Sequence, residues 1–497
     1  MLPALLVRRR GPALSLAAAT AATAPTSRLY SVPPSFADLG LDARLVAGLR
    51  EKHITTPTAI QAQSIPAILT RRNVLCTAQT GTGKTLAYLT PVIEQLLRQE
   101  TAAAHTPHAL NSADGPLQVV QQRPRALVLL PSRELALQVA AVAKQLSHSA
   151  KFASCTVTSG ERKSIQQKNT ARRLDLVIGT PGRVAKCISK GDFFVSRIGT
   201  VVIDEADTMF DAKMGFRAEL DAVLGPIQAS ALKRKQPLQV ILAAATIRPP
   251  IDQVVQKKFG DLRVVSDNKI HKTPSTIKEE FVRVISESKH SALRETLRLH
   301  DAGADAAMAP AKTMIFCRNA ASVRSTEHML REHGFHEAVC LHGDMPPARR
   351  RDAIQAFTED AEVNVLVCTD LAARGLDFDS VKHVIIFDFP KTAVDYVHRA
   401  GRTGRAGEQG LVTSLVTKHD LALATSIENS KRSNSTIKEL REDKAASSCV
   451  TAARQLASSD NLKEKQARRY PQKTRGGIGR GTKKLQKHKI RTLRPSR

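Results

Sequence analysis

The stretch Ala78-Gln79-Thr80-Gly81-Thr82-Gly83-Lys84-Thr85 restricts the possible folds more than any other in the chain. It follows the apolar run Val74-Leu75-Cys76 and opens a segment with Leu86, Leu89, Ile93, Leu96 and Leu97 on one helical face. A strand, a glycine-containing loop and a helix in that order make a phosphate cradle. Gly81 and Gly83 let backbone N–H groups turn inward around an anion, where a Cβ would obstruct. Lys84 is long enough to reach β- and γ-phosphates, and the Thr85 hydroxyl is placed to ligate Mg²⁺. Residues Ala78, Gln79, Thr80, Gly81, Thr82, Gly83, Lys84 and Thr85 are therefore expected to bind a nucleoside triphosphate.

Downstream, short apolar runs alternate with helical patterns. The runs are Ala126–Leu130, Cys155–Thr158, Leu176–Ile178, Thr200–Ile203 and Val240–Ala244. Buried runs of this length separated by helices predict a parallel sheet covered on both faces, an α/β fold. A polar stretch at 264–276 reads as a linker, and Thr101–Arg123 as an exposed, Ala-rich insertion. The alternation restarts at Glu280–Val284 and continues through Thr313–Cys317, Ala338–Leu341, Asn364–Cys368, His383–Phe387 and Gly410–Val416, with no second phosphate loop. Two domains are expected, 31–263 and 277–429, followed by a polar, basic and disordered tail over 430–497.

Charge indicates the partner. The 497-residue chain carries a formal net charge of +29. Residues 461–497 hold fourteen lysines and arginines against Glu464 alone, and the excess extends into the body of the chain. Such a balance favours a polyanion, held through the backbone, since Trp is absent and aromatics are few. No apolar run approaches the ~20 residues of a membrane span. The seven cysteines never approach C-x-x-C spacing, so no metal site is expected from them, and a reducing compartment is the natural reading. Residues 1–30 hold four arginines and no acid before Asp38, the composition of a mitochondrial transit peptide. Arg28-Leu29-Tyr30-Ser31 places the processed start near Ser31 and the protein in the mitochondrial matrix. The basic cluster Lys483-Lys484 and Lys487–Lys489 leaves a nucleolar address as the alternative. A monomer is expected.

Asp204-Glu205-Ala206-Asp207 follows Val201-Val202-Ile203, so its carboxylates emerge at the C-terminal edge of a buried strand, where open α/β sheets bind ligands. Asp204 suits the metal of a bound triphosphate, and Glu205 suits the attacking water. Far downstream, Arg399, Arg402 and Arg405 stand within seven residues in the half that lacks a phosphate loop. Such arginines suit a γ-phosphate reached across a cleft, which makes hydrolysis depend on domain closure.

With these residues in place, the chain resembles the DEAD-box family of ATP-dependent RNA helicases over residues 36–420, most closely its fungal mitochondrial members. Phe36 and Thr56–Gln61 look like the adenine-sensing Q motif, in which the Gln61 amide would read the adenine edge. Ala78–Thr85 resembles motif I. Pro131–Ala136, with Arg133, and Thr180–Arg183 resemble RNA-contacting motifs Ia and Ib. Ala244-Ala245-Thr246 stands in motif III and Ile315–Asn319, with Arg318, in motif IV. His342-Gly343 and Arg350 resemble an RNA-binding element. Thr369–Asp377 looks like motif V, with Thr369 on RNA and Gly375 and Asp377 on nucleotide. Tyr396–Arg405 looks like motif VI.

The resemblance implies two tandem RecA-like domains and RNA-dependent ATP hydrolysis with Mg²⁺. It puts Lys84, Asp204, Glu205, Arg402 and Arg405 in the chemistry, and Asp207, Ala244, Thr246, His398 and Arg399 in its coupling to closure. The RNA would be single-stranded or a short duplex, and by the mitochondrial likeness ribosomal RNA in large-subunit precursors. The alternative is an ATP-gated RNA clamp with little unwinding. Four departures bear on that choice: His53-Ile54 replaces a Gly-aromatic pair, Ser159-Gly160 a Gly-Gly loop, Ala244 a serine, and Pro347 a glutamine. They leave the nucleotide chemistry intact and predict a weaker link to strand separation.

Overall fold

Among the described residues, thirteen short strands sort into two sheets. A computed structural model describes residues 34–79, 81–105, 121–161, 163–211, 214–245, 249–266, 276–285, 288–302, 312–373, 376, 378, 381–405 and 407–433. The expectations for the transit peptide, Thr80, Thr246, Gly375, Asp377 and all of the tail beyond 433 lie outside the described residues.

The first sheet contains β1 (Val74–Thr77), β2 (Ala126–Leu129), β3 (Ser154–Val157), β4 (Leu176–Gly179), β5 (Thr200–Ile203), β6 (Gln239–Ala244) and β7 (Arg263–Ser266), in the order β3-β4-β2-β5-β6-β1-β7. The second contains β8 (Ile277–Arg283), β9 (Lys312–Cys317), β10 (Val339–Leu341), β11 (Val365–Thr369), β12 (Val381–Ile386) and β13 (Gly410–Val416), in the order β10-β11-β9-β12-β13-β8. Every pairing in both sheets is parallel. Leave out β7 and the two orders are the same topology. The α/β class with parallel sheets stands as expected.

The strands are apolar almost throughout because both faces are covered. On β1, Val74 and Cys76 join one core while Leu75 joins another; on β2, Ala126 and Val128 separate in the same way from Leu127 and Leu129. In the second sheet Met314 and Phe316 face one core, Ile315 and Cys317 the other. Side chains alternate along a strand, so an unbroken apolar run feeds two cores at once. Each fully buried Leu or Ile contributes about 1.5–3 kcal/mol, and Leu127→Asp would remove that and bury a charge between layers.

Three boundaries differ from the sequence reading. Val264–Ser266, read as linker, form most of β7 and pair with Leu75–Thr77 of β1. The helix Lys84–His105 takes in Thr101–His105, read as insertion. The last helix, Leu421–Arg432, runs past the boundary at 429. Lys84–His105 also continues through Pro91. An interior proline costs roughly 3 kcal/mol, and burial of Leu89, Ile93, Leu96 and Leu97 offsets it. Among the described residues no helix is long and apolar enough to cross a membrane, and the six described cysteines are free thiols.

Candidate active site

The chain leaves β1, β5 and β6 at one edge of the first sheet, and the residues that follow line a cleft of about 470 Å³. Gly81, Gly83, Lys84, Thr85, Asp204, Glu205 and Ala244 line it from this side, His398, Arg402 and Arg405 from the second lobe. Gly81 and Gly83 have φ of 81° and 85°, the left-handed region that glycine enters without strain. A Cβ on Gly83 would come within 2.3 Å of the Gln61 amide nitrogen. That amide donates to the Gly83 carbonyl (3.1 Å), and its oxygen accepts from the Thr58 N–H (2.9 Å). Both ends of Gln61 are thus engaged on protein, tying the segment before the phosphate loop to the loop itself.

Lys84 donates to the carbonyls of Ala78 (2.6 Å) and Gln79 (2.7 Å). Burial pushes its pKa down to about 8, while Asp204, Asp207 and Glu205 pull the other way. Asp204 accepts from the Glu205 N–H (2.8 Å) and the Tyr88 hydroxyl (2.8 Å). Its pKa is raised by burial, against those hydrogen bonds and the charge of Lys84. Glu205 caps the next short helix with φ 47° and ψ 49°, a left-handed conformation that costs a residue with a side chain on the order of 1–3 kcal/mol. Its Oε2 is buried with no hydrogen-bond partner among the described residues. Burial raises its pKa, opposed by the neighbouring His398 and Arg402. Thr85, Asp204 and Glu205 offer hard oxygens that suit a divalent cation once phosphate oxygens complete its shell. Among the described residues no cluster of three His, Cys, Asp or Glu makes a metal site by itself.

From the second lobe, Arg402 donates to the Leu376 carbonyl (2.6 Å), and Arg405 to the Gly401 carbonyl (2.9 Å). Burial pushes the Arg405 guanidinium down to about 10, and a Cβ on Gly81 would sit 3.0 Å from its Cγ. His398 Nε2 lies 3.3 Å from Asp207 Oδ2. Arg399 is turned inward, gripping Asp370 through two hydrogen bonds of 2.6 and 2.7 Å.

Two models of known families match this chain: residues 58–254 match the DEAD/DEAH box helicase, and 289–407 the helicase conserved C-terminal domain. The mouse probable ATP-dependent RNA helicase DDX28 is 34% identical over 425 residues, covering 82% of this chain and 75% of that protein. SrmB, an Escherichia coli ATP-dependent RNA helicase, is 35% identical over 388 residues, 78% of this chain and 79% of its own. This chain belongs to the DEAD-box ATP-dependent RNA helicases. The DEAD-box ATP-dependent RNA helicase 39 of Arabidopsis thaliana is 39% identical over 412 residues, and the aligned part spans 82% of this chain but 63% of that relative. Yeast Dbp5 bound to RNA and ADP BeF3 superposes with a TM-score of 0.64 at 26% identity, over 80% of this chain and 93% of that one. The two sheets are accordingly the tandem RecA-like domains of this family.

The remaining motif residues of this helicase fall into three groups. Arg318, Gly343 and Thr369 line a second cavity, of about 420 Å³, with Asp207 and His398. Gly160 meets the second lobe at Pro347, whose Cβ is 3.1 Å from where a Gly160 Cβ would be, and the Arg133 guanidinium carbon lies 3.3 Å from the same point. Beside them Arg350 Nη1 lies 3.4 Å from Glu134 Oε1. Others stand apart. Phe36 is 1% exposed in the first core, so its ring area is spent on packing and it does not line the cleft. Pro131 is buried, Thr180 caps the helix Pro181–Lys190, and the Arg183 guanidinium bonds Gln166. Ala244 is fully buried, and its carbonyl accepts from the Ala78 N–H (3.2 Å), supporting the root of the phosphate loop.

Tyr88 is the residue the sequence reading passed over. At helical spacing beside Leu89 it looks like core, and it is indeed fully buried. Only the fold brings its hydroxyl to Asp204, 116 positions away.

Proposed function

We propose that this helicase hydrolyses ATP with Mg²⁺ in the cleft between its two domains and uses closure of that cleft to hold and remodel mitochondrial RNA, specifically ribosomal RNA in large-subunit precursors. The observation that carries the reading is that Lys84, Asp204 and Glu205 of one lobe face His398, Arg402 and Arg405 of the other across a single cleft. Lys84 meets the β- and γ-phosphates, leaving its loop carbonyls. Thr85 and Asp204 would hold Mg²⁺, which would offset phosphate charge, and Tyr88 keeps the Asp204 carboxylate oriented. Glu205, with one oxygen uncommitted, accepts a proton from the attacking water, and its raised pKa suits it to that work. Arg402 and Arg405 offset charge on the transferring phosphoryl group. The Asp207–His398 contact ties the tetrad of one lobe to motif VI of the other, so closure is registered at the carboxylates. RNA lies along Arg133, Gly160, Arg318, Gly343, Arg350 and Thr369, and favours the closed form by binding both lobes at once.

The mitochondrial assignment is supported by the acid-free, arginine-bearing residues 1–30. The test is crosslinking in isolated mitochondria followed by sequencing of the bound RNA. Enrichment of large-subunit ribosomal RNA is expected; recovery of no mitochondrial RNA would sink the assignment.

A second reading, an RNA clamp with little unwinding, is favoured by Ala244, whose methyl offers Asp207 no hydrogen bond. Unwinding measured beside ATP turnover on a short duplex separates the two, since a clamp hydrolyses ATP without releasing strands.

A further inference from the structure

The outer edge of the first sheet carries a cavity that the motifs reach only at one end, through Arg133 and Gly160. It measures about 690 Å³, within the ~300–1,000 Å³ of ligand sites, and lies between β3, the helices flanking it and Arg351 of the second lobe. Four arginines line it against one carboxylate, Glu161, which accepts from Asn169 (3.4 Å). Arg173 is committed to Glu100 (2.7 Å) and Asp175 (3.4 Å). The other three are held less firmly. Arg133 has a buried Nε without a partner among the described residues, Arg172 has no ion pair among them, and the carboxylate facing Arg351 is its own neighbour Asp352, at 3.9 Å.

Two further features define the ligand. Leu137 and Ile165 are 39% and 46% exposed on the cavity wall, large apolar faces left to water. β3 is an edge strand, paired only with β4, so one row of its backbone groups is unpaired within the sheet. Guanidinium groups suit phosphodiesters, an apolar face suits a base, and backbone amides left open at a sheet edge suit base or sugar edges.

We infer that this cavity is a flanking subsite for single-stranded RNA, taking the nucleotides that leave the motif-lined face past Arg133 and Gly160. Both residues line the cavity, so the two surfaces are continuous. Arg172 and Arg351, outside every motif, are the residues specific to this subsite. The inference rests on the proposed RNA-binding role and adds where the strand goes next.

The experiment measures fluorescence anisotropy of the full-length protein, with a non-hydrolysable ATP analogue, on oligouridylates of about 6 and about 16 nucleotides. In the double variant Arg172→Ala, Arg351→Ala the long-to-short affinity ratio is expected to fall. The log–log salt slope for the long oligomer should drop by about 1.4, two contacts at about 0.7 each. Arg172→Lys, Arg351→Lys, which keeps both charges, should restore the slope. An unchanged ratio and slope in the alanine variant, with a wild-type unfolding midpoint, overturns the subsite and is the result expected if an acidic protein segment were the true occupant. Equal loss on both lengths also overturns it, because the arginines would then belong to the central tract. A wild-type protein that binds neither oligomer refutes instead the RNA-binding reading beneath.

Discussion

The two lobes share a strand order and use it for opposite ends. In the first, β1 runs through the phosphate loop into a helix whose first residue is Lys84, and Asp204 stands just beyond β5. In the second, the topologically equivalent β8 leads to a helix whose first residue is Lys289, and Asp388 stands just beyond β12, the equivalent of β5. There the lysine and the carboxylate close on each other at 2.7 Å, both 12% exposed. Asp388 also accepts from the Ser322 hydroxyl (2.7 Å) and the Arg318 N–H (3.0 Å). Burial works to raise its pKa, and these partners together hold it below the ordinary carboxylate range. In the first lobe Lys84 rests on loop carbonyls, and Asp204 is steadied by a tyrosine. The same two residue types are satisfied by each other in one lobe and kept available for a ligand in the other. A glycine loop makes that difference, by placing backbone acceptors where the lysine would otherwise need a carboxylate.

The largest effects should separate the two lysines. Lys84→Ala is expected to abolish ATP turnover and leave the unfolding midpoint unchanged or higher, because a buried, partly desolvated ammonium is removed. Lys289→Ala is expected to cost about 3–5 kcal/mol, the penalty of leaving a buried carboxylate unpaired. Because the folded pKa of Asp388 is lowered, this contribution is present above its unfolded value and is lost as pH falls through the folded one. Wild type and Lys289→Ala should therefore converge in acid. Denaturant unfolding across pH beside an ATPase assay tests both variants, and a strongly destabilised Lys84→Ala would break the contrast.

Next in size is Arg405→Ala, which takes from the second lobe the charge it lends to the first. Turnover should fall by about 10³–10⁵, with nucleotide affinity changing far less. A loss confined to affinity would make Arg405 a binding group only.

Tyr88→Phe deletes one hydroxyl and its bond to Asp204. Such a bond to a charged group is worth about 1.5–3 kcal/mol, so turnover should drop by at least roughly tenfold, with more Mg²⁺ needed for half-maximal rate. Unchanged Mg²⁺ dependence would return Tyr88 to the core.

The smallest effect is Ala244→Ser, expected to raise unwinding per ATP roughly two- to fivefold by adding one hydrogen bond of modest net worth. RNA-stimulated ATPase itself should change little. Equal unwinding-to-ATPase ratios for both proteins would mean that the Asp207–His398 contact already supplies the link.

Much of this was legible in the chain. Buried parallel strands are apolar along most of their length, so Thr200–Ile203 and Gly410–Val416 could be read to the residue. Val264–Ser266 could not, because an edge strand is half exposed and Arg263, Val264 and Ser266 all reach solvent. Local chemistry with a rigid spacing was equally plain: Gly81, Gly83, Lys84 and Thr85 can do little else in that order, and Asp204 and Glu205 follow a strand that must end at the sheet's binding edge. Gln61 was legible as a residue with a role, and its geometry was not. Its amide oxygen closes a local capping box on Thr58, three residues back, but only the packing of Ala59–Leu69 against the loop brings its nitrogen to Gly83.

By itself, then, the sequence determined the fold class, the phosphate loop and the carboxylates, because each rests on neighbours in the chain and on periodicities of two or 3.6 residues. Tertiary structure decided which polar groups are spent on one another and which remain for ligands: Tyr88 on Asp204, Lys289 on Asp388, Arg399 on Asp370, against the open Oε2 of Glu205. Those pairings span from 29 to 116 positions of chain. Hydrogen bonds and ion pairs act over a few ångströms in space and carry no periodic trace along the chain, so no local pattern could announce them.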